Sequence, residues 1–291
     1  MYKGKLYEGL QFVPYVPFIK CDTDEADVLC GKYKCRTGNV KNICRYCTCL
    51  TKESDNPRAK GSRKTVPMIR SLIEDKDLEA LKEISQHPIV NAFYKVRFGL
   101  HNEEGIHGAC PIEMLHHLLL GMDKYGRDAF FAILGVNSAR AEEINALAVE
   151  YGELYSRQSD RNMPKTKFSN GIQKGKLMAK EYTGVLLLIA TILRSTEGRR
   201  VLTSSPKRGK LSAFAQDKEL IDDWATLVET LLMWEEWLKS DKLPKNLLIR
   251  ARKKFLYIMY LIRKVGNRTE GRFSITKLLA PLPLNNWLLT H

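Results

Sequence analysis

Residues 111–134 read PIEMLHHLLLGMDKYGRDAFFAIL, and apolar residues recur in this stretch at intervals of three and four. That spacing places them on one face of an α-helix. The apolar positions are Met114, Leu115, Leu118, Leu119 and Met122. Pro111 suits the first turn of a helix, because the backbone nitrogen there needs no hydrogen bond. The stretch therefore predicts an amphipathic helix whose apolar face is buried.

Helical periodicity continues on both sides of this stretch. Residues 66–85 are expected to form one or two short helices. Further helices are predicted at residues 138–157, 177–194, 218–239 and 245–265. Residues 5–20, in contrast, are rich in aromatic and β-branched residues and favour one or two strands interrupted by prolines. We predict a mainly α fold with a small β piece near the N-terminus, and at least five helices after residue 66.

The overall charge points to a polyanionic partner. The chain has 291 residues, a formal net charge of +14 and a pI near 9.4. Such a balance favours binding to nucleic acid, and the alternative is a solvated basic protein with no such partner. The first residues lack the apolar segment of a signal peptide. The longest apolar run, residues 184–193, falls short of the ~20 residues that span a bilayer. We therefore expect no membrane span and an intracellular location.

Charge is also distributed unevenly along the chain. Residues 151–210 hold 13 Lys and Arg against 4 Asp and Glu, and residues 242–277 hold 11 against 1. Between them, residues 211–241 hold 2 basic and 8 acidic residues. The two basic blocks are candidates to lie along the phosphates of DNA. The alternative is that the acidic and basic faces pair within the protein.

Six of the seven cysteines lie within residues 21–49. Cys44 and Cys47 have the CxxC spacing, in which two thiolates on one turn can share a Zn²⁺ ion at ~2.3 Å. A zinc site needs two further ligands, and no second CxxC or H-x3–5-H motif is present. The remaining candidates are Cys30, Cys35 and Cys49, with His101 and His107 more distant. The competing interpretation is a set of incidental cysteines.

A group of acids follows the first cysteine, in the sequence KCDTDEAD of residues 20–27. A carboxylate at the end of a strand, beside other strand-borne acids, is how two Mg²⁺ ions are held for phosphodiester chemistry. Asp22 would be that carboxylate, with Asp24 and Asp27 as weaker candidates. The ordinary alternative is that Asp22 or Thr23 caps a short helix.

The order of these motifs resembles the transposases of eukaryotic cut-and-paste DNA transposons. The closest groups are the Plavaka and Kyakuja–Dileera–Zisupton types, which are related to the CACTA transposases. Asp22 matches the second catalytic acid of that family, and Cys44 and Cys47 match its CxxC. Three later stretches match helices of the family's long insertion: residues 107–121, 163–193 and 256–271.

The resemblance implies a partial RNase H-like core with a DDE triad, Mg²⁺ or Mn²⁺ as catalytic ions and zinc as an additional metal. It also implies DNA as the partner, a nuclear location and self-association. Glu113 is a further acid candidate within the matched helix, although a glutamate near a helix N-terminus is ordinary. The family's first acid is expected upstream of Met1. Its paired histidines and final glutamate, expected after Glu270, have no counterpart in this sequence.

The resemblance divides the chain into four parts. Residues 1–50 would be the partial core, 51–66 a linker, 67–265 the helical insertion and 266–291 a truncated tail. Three hypotheses follow: a transposase-derived fragment without cleavage of its own, a basic zinc-containing adaptor for nucleic acid or protein, and a helical scaffold with incidental cysteines.

Overall fold

The structure is a computed structural model, and it describes the following residues: 16–33, 40–53, 61–111, 115–135, 138–156, 168, 171–173, 177–204, 211–239 and 245–267. Eleven α-helices lie in this part of the chain. They are α1 (Thr23–Leu29), α2 (Val66–Glu74), α3 (Leu78–Glu83), α4 (Ile106–Ala109), α5 (Lys124–Leu134), α6 (Ala139–Ser156), α7 (Tyr182–Arg194), α8 (Thr196–Thr203), α9 (Ala213–Gln216), α10 (Glu219–Leu238) and α11 (Lys245–Asn267). Short 3-10 helices occupy Thr51–Glu53, Ala92–Lys95 and Ala179–Glu181.

The mainly α prediction is confirmed for these residues, including the expectation of at least five helices after residue 66. The predicted β piece is not seen where it can be tested. Residues 16–20 form no strand, and residues 1–15 lie outside the described part. Pairing of β type is limited, over the described ranges, to two isolated bridges, Lys32–Gln86 and Cys47–Arg63.

One predicted helix has a different geometry. Leu115–Asp123 is a π-helix that continues directly into α5. Its i→i+5 hydrogen bonds widen each turn, so apolar positions spaced for about 3.6 residues per turn no longer share one face. Leu118 and Met122 are buried as predicted, but Leu115 is 42% exposed. Such a π segment is not encoded in apolar periodicity.

The chain divides into two compact units. The first comprises residues 1–48 and 61–111, and the second comprises residues 49–60 and 112–291. Residues 67–111 therefore group with the N-terminal segment, whereas the division drawn from sequence placed them in the helical insertion.

The first unit combines a small apolar core with an unusually polar interior. Its apolar cluster includes Ile69, Leu81, Phe98 and Ile106, which come from α2, α3, α4 and the loop between the last two. Beside this cluster, seven polar residues are at most 1% exposed: Asp27, Lys32, Asn42, Lys64, Ser85, Gln86 and His107. Buried polar groups are tolerated when they are hydrogen-bonded. Gln86, for example, donates from Nε2 to the carbonyls of Cys30 and Gly31, each at 2.8 Å.

The second unit is built around α7. Nine of its residues are buried, and it packs most extensively against α10. This explains the apolar run at residues 184–193: it is the central helix of a bundle, buried on most of its circumference. Within the described residues, no helix combines the length and the apolar character that crossing a membrane requires.

Candidate functional site

Asp22 lies at the N-terminus of α1, not at the end of a strand. Its Oδ1 accepts a hydrogen bond from the backbone N–H of Glu25 at 2.7 Å, and residues 16–21 before it contain no strand. This is the helix cap that the sequence left open as the ordinary alternative. The expectation that Asp22 follows a strand is therefore wrong for the described residues, because residues 16–20 form no β-bridge, although the Ile19 N–H donates to the Ala109 carbonyl at 2.7 Å.

Asp27 is occupied by two internal ion pairs. Its carboxylate is fully buried, with Oδ2 3.5 Å from Lys32 Nζ and Oδ1 3.5 Å from Arg45 Nε. A buried carboxylate needs such partners, because burying it alone would cost several kcal/mol. Asp24 is half-buried on the same helix, and Glu113 lies outside the described residues. Among the described residues, no three or more His, Cys, Asp or Glu side chains converge as a metal site would require.

The CxxC turn has the geometry expected of paired thiols. The Sγ atoms of Cys44 and Cys47 are 3.3 Å apart, which confirms the expected separation of ~4 Å or less. The sulfur of Cys44 also accepts hydrogen bonds from the backbone N–H groups of Tyr46 at 3.4 Å and Cys47 at 3.3 Å. Two N–H donors aimed at one sulfur favour its thiolate form. Burial acts in the opposite direction and raises the pKa of the Cys44 thiol well above its usual range.

A buried lysine fixes this turn from inside the unit. Lys64 Nζ donates to Asn42 Oδ1 at 2.6 Å, to the Cys44 carbonyl at 3.0 Å and to the Ile84 carbonyl at 2.7 Å. Asn42 in turn donates from Nδ2 to the Cys47 carbonyl at 3.1 Å. Burial lowers the pKa of Lys64 to about 8, and the nearby Cys44 thiol opposes that shift. Sequence reasoning missed Lys64, because its polar, glycine-containing surroundings predict a linker.

The other cysteine candidates do not complete a zinc site with this pair. Cys30 Sγ donates to the Ile106 carbonyl at 3.7 Å, and a hydrogen bond with Cys30 raises the pKa of Cys110. Cys35 lies outside the described residues, and Cys49 Sγ donates to the Leu50 carbonyl at 3.7 Å. The described residues thus fit half of a tetrahedral zinc set and no more.

His107 is the unexplained polar group of the first unit. It is fully buried, and neither ring nitrogen has a partner within hydrogen-bond distance. Burial, followed by the nearby charge of Lys64, lowers the pKa of His107 to about 3. The imidazole is therefore neutral at physiological pH. His107 was a distant zinc candidate from sequence, but it forms no ligand group with the CxxC thiols.

The second unit carries a basic surface with exposed aromatic rings on α11. Arg250 and Lys253 are exposed, and Tyr257 and Tyr260 are 41% and 57% exposed. We call these four residues together with Lys254 the α11 face. The two tyrosine rings are stacked with centroids 6.2 Å apart and an interplanar angle of 21°. Lys254 Nζ lies 5.8 Å from the centroid of the Tyr257 ring, which is within cation–π range.

The acidic helix α10 pairs with other basic residues. Arg194 on α7 binds Glu229 through two hydrogen bonds at 2.7 and 2.9 Å. Asp222 pairs with Arg194 at 3.2 Å and also with Arg199 on α8. Asp223 pairs at 2.7 Å with Lys264, which lies in the last turn of α11. Ion pairs within the second unit thus account for much of the acidic charge of α10, which is the alternative that the sequence left open. One of these pairs uses Lys264 at the C-terminal end of α11.

No protein-family model matches this chain, and neither does a curated protein or a solved structure. The resemblance to transposases therefore rests on the motifs quoted above.

Proposed function

We propose that this chain is a transposase-derived, nucleic-acid-binding fragment of the DDE type that does not cleave DNA on its own. The observation that carries the binding is the α11 face. Its exposed cations and rings lie on one side of a helix whose opposite side is buried in the second unit. In a cell, such a fragment would act on DNA in the nucleus.

The distribution of ion pairs supports this assignment of the basic charge. Asp222, Asp223 and Glu229 on α10 are each bound by a cation from α7, α8 or the end of α11. Within the described residues, no ion pair involves Arg250 or Lys253. Exposed cations without an acidic neighbour attract phosphates, and each phosphate they neutralise releases condensed counterions.

We expect no DNA cleavage by this chain, because its candidate catalytic acids have other roles in the structure. Phosphodiester cleavage by a two-metal mechanism needs several carboxylates around a pair of ions. Asp22 caps α1 and Asp27 neutralises two buried cations, so both have structural work that explains their presence. No carboxylate cluster forms among the described residues, and we therefore derive no catalytic step with Mg²⁺ or Mn²⁺.

One observation favours the second candidate, a basic zinc-containing adaptor. The Cys44 and Cys47 sulfurs are held 3.3 Å apart with two N–H donors on one of them, which is the arrangement of half a structural zinc site. The two candidates share the nucleic-acid partner but differ in DNA preference. A transposase fragment should prefer transposon-end sequences, whereas an adaptor should bind without regard to sequence.

The test of binding is fluorescence anisotropy of a labelled DNA duplex with the full chain. The association constant should fall by ~10³ or more between about 50 and 200 mM salt if six or more phosphates are engaged. Replacing Arg250 and Lys253 together by alanine should weaken binding and reduce the salt slope by about 2. No binding at low salt, or binding that is insensitive to salt, would refute the proposal.

A matched variant controls for net charge. Lys95 and Arg97 are also one lysine and one arginine, both exposed, but they lie in the first unit. Replacing that pair by alanine removes the same charge and should leave most of the affinity intact. Equal losses in both double variants would show that the total charge acts and that the α11 face is not a site.

A further inference from the structure

We propose that Tyr257 and Tyr260 form a stacking platform for unpaired nucleobases, so that the α11 face prefers single-stranded over double-stranded nucleic acid. This inference rests on the proposed nucleic-acid binding and adds the class of substrate. It concerns the aromatic part of the α11 face, whereas the binding argued above concerns its charge.

The two tyrosines are not needed for the core of the second unit. The buried side of α11 is formed by Phe255, Ile258 and Ile262, each at most 1% exposed. Tyr257 and Tyr260 point away from that side and are about half exposed. Large aromatic side chains bury 150–250 Å² when they are packed, so leaving two of them adjacent in solvent forgoes a substantial stabilisation. A ligand with flat apolar faces would recover it.

The rings are already ordered in a column. They are nearly parallel at 21°, and Lys254, three residues before Tyr257, places its ammonium over the Tyr257 ring. Tyr260, three residues after Tyr257, is the more exposed member. A base that stacks on the Tyr260 ring would extend this column without rearranging it. Ordering the rings before binding lowers the entropy that a ligand must overcome.

The cations lie in register with the rings. Arg250, Lys253, Tyr257 and Tyr260 are spaced by three, four and three residues, which keeps them on one stripe of the helix. At about 1.5 Å per residue, Arg250 and Tyr260 are about 15 Å apart along the axis. That length corresponds to about four nucleotides of a stacked strand, which rises ~3.4 Å per nucleotide along its axis. The stripe can therefore contact phosphates at one end and bases at the other.

The preference for single-stranded nucleic acid follows from the accessibility of the base faces. In a duplex, each base is covered above and below by its neighbours, so an exposed tyrosine reaches only the edges or the backbone. An unpaired strand offers the faces themselves, and stacking on an aromatic side chain tolerates any base. Cations contribute to both strand states, but the rings contribute only to the single-stranded one.

The test uses the full chain with three labelled probes: a 12-nucleotide oligo-dT, a 12-nucleotide oligo-U and a DNA duplex of the same length. Tyr257→Ala with Tyr260→Ala should weaken binding of the single strands by about 10-fold or more. Duplex binding should change by less than about 2-fold, because charge is unaltered. Tyr260→Phe, which keeps the ring, should retain single-strand affinity. The two oligonucleotides show whether the bases are read in DNA, in RNA or in both.

Met233 supplies the matched control, since it is an exposed apolar residue on α10 and 60% exposed. Met233→Ala should leave all three affinities unchanged. If the protein binds duplex and single strands and the tyrosine variant loses neither, the stacking platform is refuted while the proposed function stands. If the unmodified chain binds none of the three probes, both are refuted. A loss equal on duplex and single strands would also overturn the inference, because it would indicate a general defect.

Discussion

Replacing Asp123 by asparagine should stabilise the second unit at neutral pH. Asp123 ends the π-helix, is 1% exposed, and has no hydrogen-bond partner at either carboxylate oxygen. Nearby on α10, Glu235 is 2% exposed, and its Oε1 accepts a hydrogen bond from Thr183 at 2.6 Å and forms an ion pair with Lys239 at 2.6 Å, while its Oε2 has no hydrogen-bond partner. The structure thus buries two carboxyl groups, of which only Glu235 forms an ion pair with Lys239 in the described part of the chain.

The sign of the pH dependence follows from the pKa of Asp123. Burial raises this pKa well above its usual range, the charge of Glu235 raises it further, and Lys239 opposes both. A raised pKa means that the fold favours the protonated acid. The contribution of protonated Asp123 to the free energy of unfolding is complete below the unfolded-state pKa of ~3.9. It is lost as the pH rises through the folded-state pKa. Asparagine is uncharged at every pH, so Asp123→Asn should remove that loss.

The expected size comes from the burial of an unpaired group. Leaving a buried polar group unsatisfied costs ~1–3 kcal/mol, and more when the group is charged. The amide of asparagine carries no charge, so it removes the repulsion between the Asp123 carboxylate and Glu235 and the cost of burying the Asp123 charge. A gain of about 2 kcal/mol in the free energy of unfolding would raise the Tm by ~4–8 °C for a unit of this size.

Urea unfolding followed by tryptophan fluorescence measures the effect, because Trp224 and Trp234 are buried in the second unit. The gain from Asp123→Asn should be larger at about pH 7.5 than at about pH 5. Asp222→Asn makes the same chemical change at an exposed site where a hydrogen bond from Arg199 lowers the pKa of the carboxyl. That control should lose less than about 1 kcal/mol. Destabilisation by Asp123→Asn, equal at both pH values, would refute the reasoning.

The packing of Trp224, the zinc content and the lack of DNA cleavage can each be measured on the purified chain. Trp224→Ala should cost ~3–5 kcal/mol in the free energy of unfolding, because the indole is fully buried and its ring centroid lies 5.9 Å from that of Phe130; a loss below about 1 kcal/mol in urea titration would contradict this packing. Purified protein should hold well under one zinc per chain by metal analysis, and less after Cys44→Ser. Half a ligand set should bind zinc with less than the ~10–16 kcal/mol of free energy that a full structural site provides. One tightly held zinc that is lost on Cys30→Ser or Cys35→Ser would instead show that a local four-cysteine site exists. Supercoiled plasmid incubated with the purified chain and Mg²⁺ or Mn²⁺ should stay intact. Nicking that disappears in the Asp22→Ala variant would refute the hypothesis of a fragment without cleavage of its own.

Apolar periodicity predicted the helices because burial of one face is a local property of the sequence. The predicted helix at residues 218–239 corresponds to α10, and the one at 245–265 corresponds to α11. Periodicity did not predict the polar interior of the first unit. Lys64 looks like a surface residue in sequence, and its partners Asn42 and Ile84 come from segments about 20 residues away on either side.

For the candidate site, too, the sequence predicted local contacts but not contacts between distant residues. The pairing of Cys44 with Cys47 follows from a three-residue spacing on one turn, and the structure has it. The contact of Cys30 with the Ile106 carbonyl joins residues 76 positions apart, which spacing arguments do not reach. Asp22 could be read as a cap or as a strand-end acid, and deciding between them required knowing whether the preceding residues pair.

The central position of α7 has a consequence for how the protein can be made. The helix against which α7 packs most extensively is α10, which leaves the ribosome later because it ends at Leu238. At ~5–20 residues per second, the side of α7 that packs against α10 stays exposed for some seconds before α10 is synthesised. Truncations that end before α10 should therefore aggregate or bind chaperones. An expression fragment of the second unit should extend at least through α11, which buries the remaining apolar side of α10.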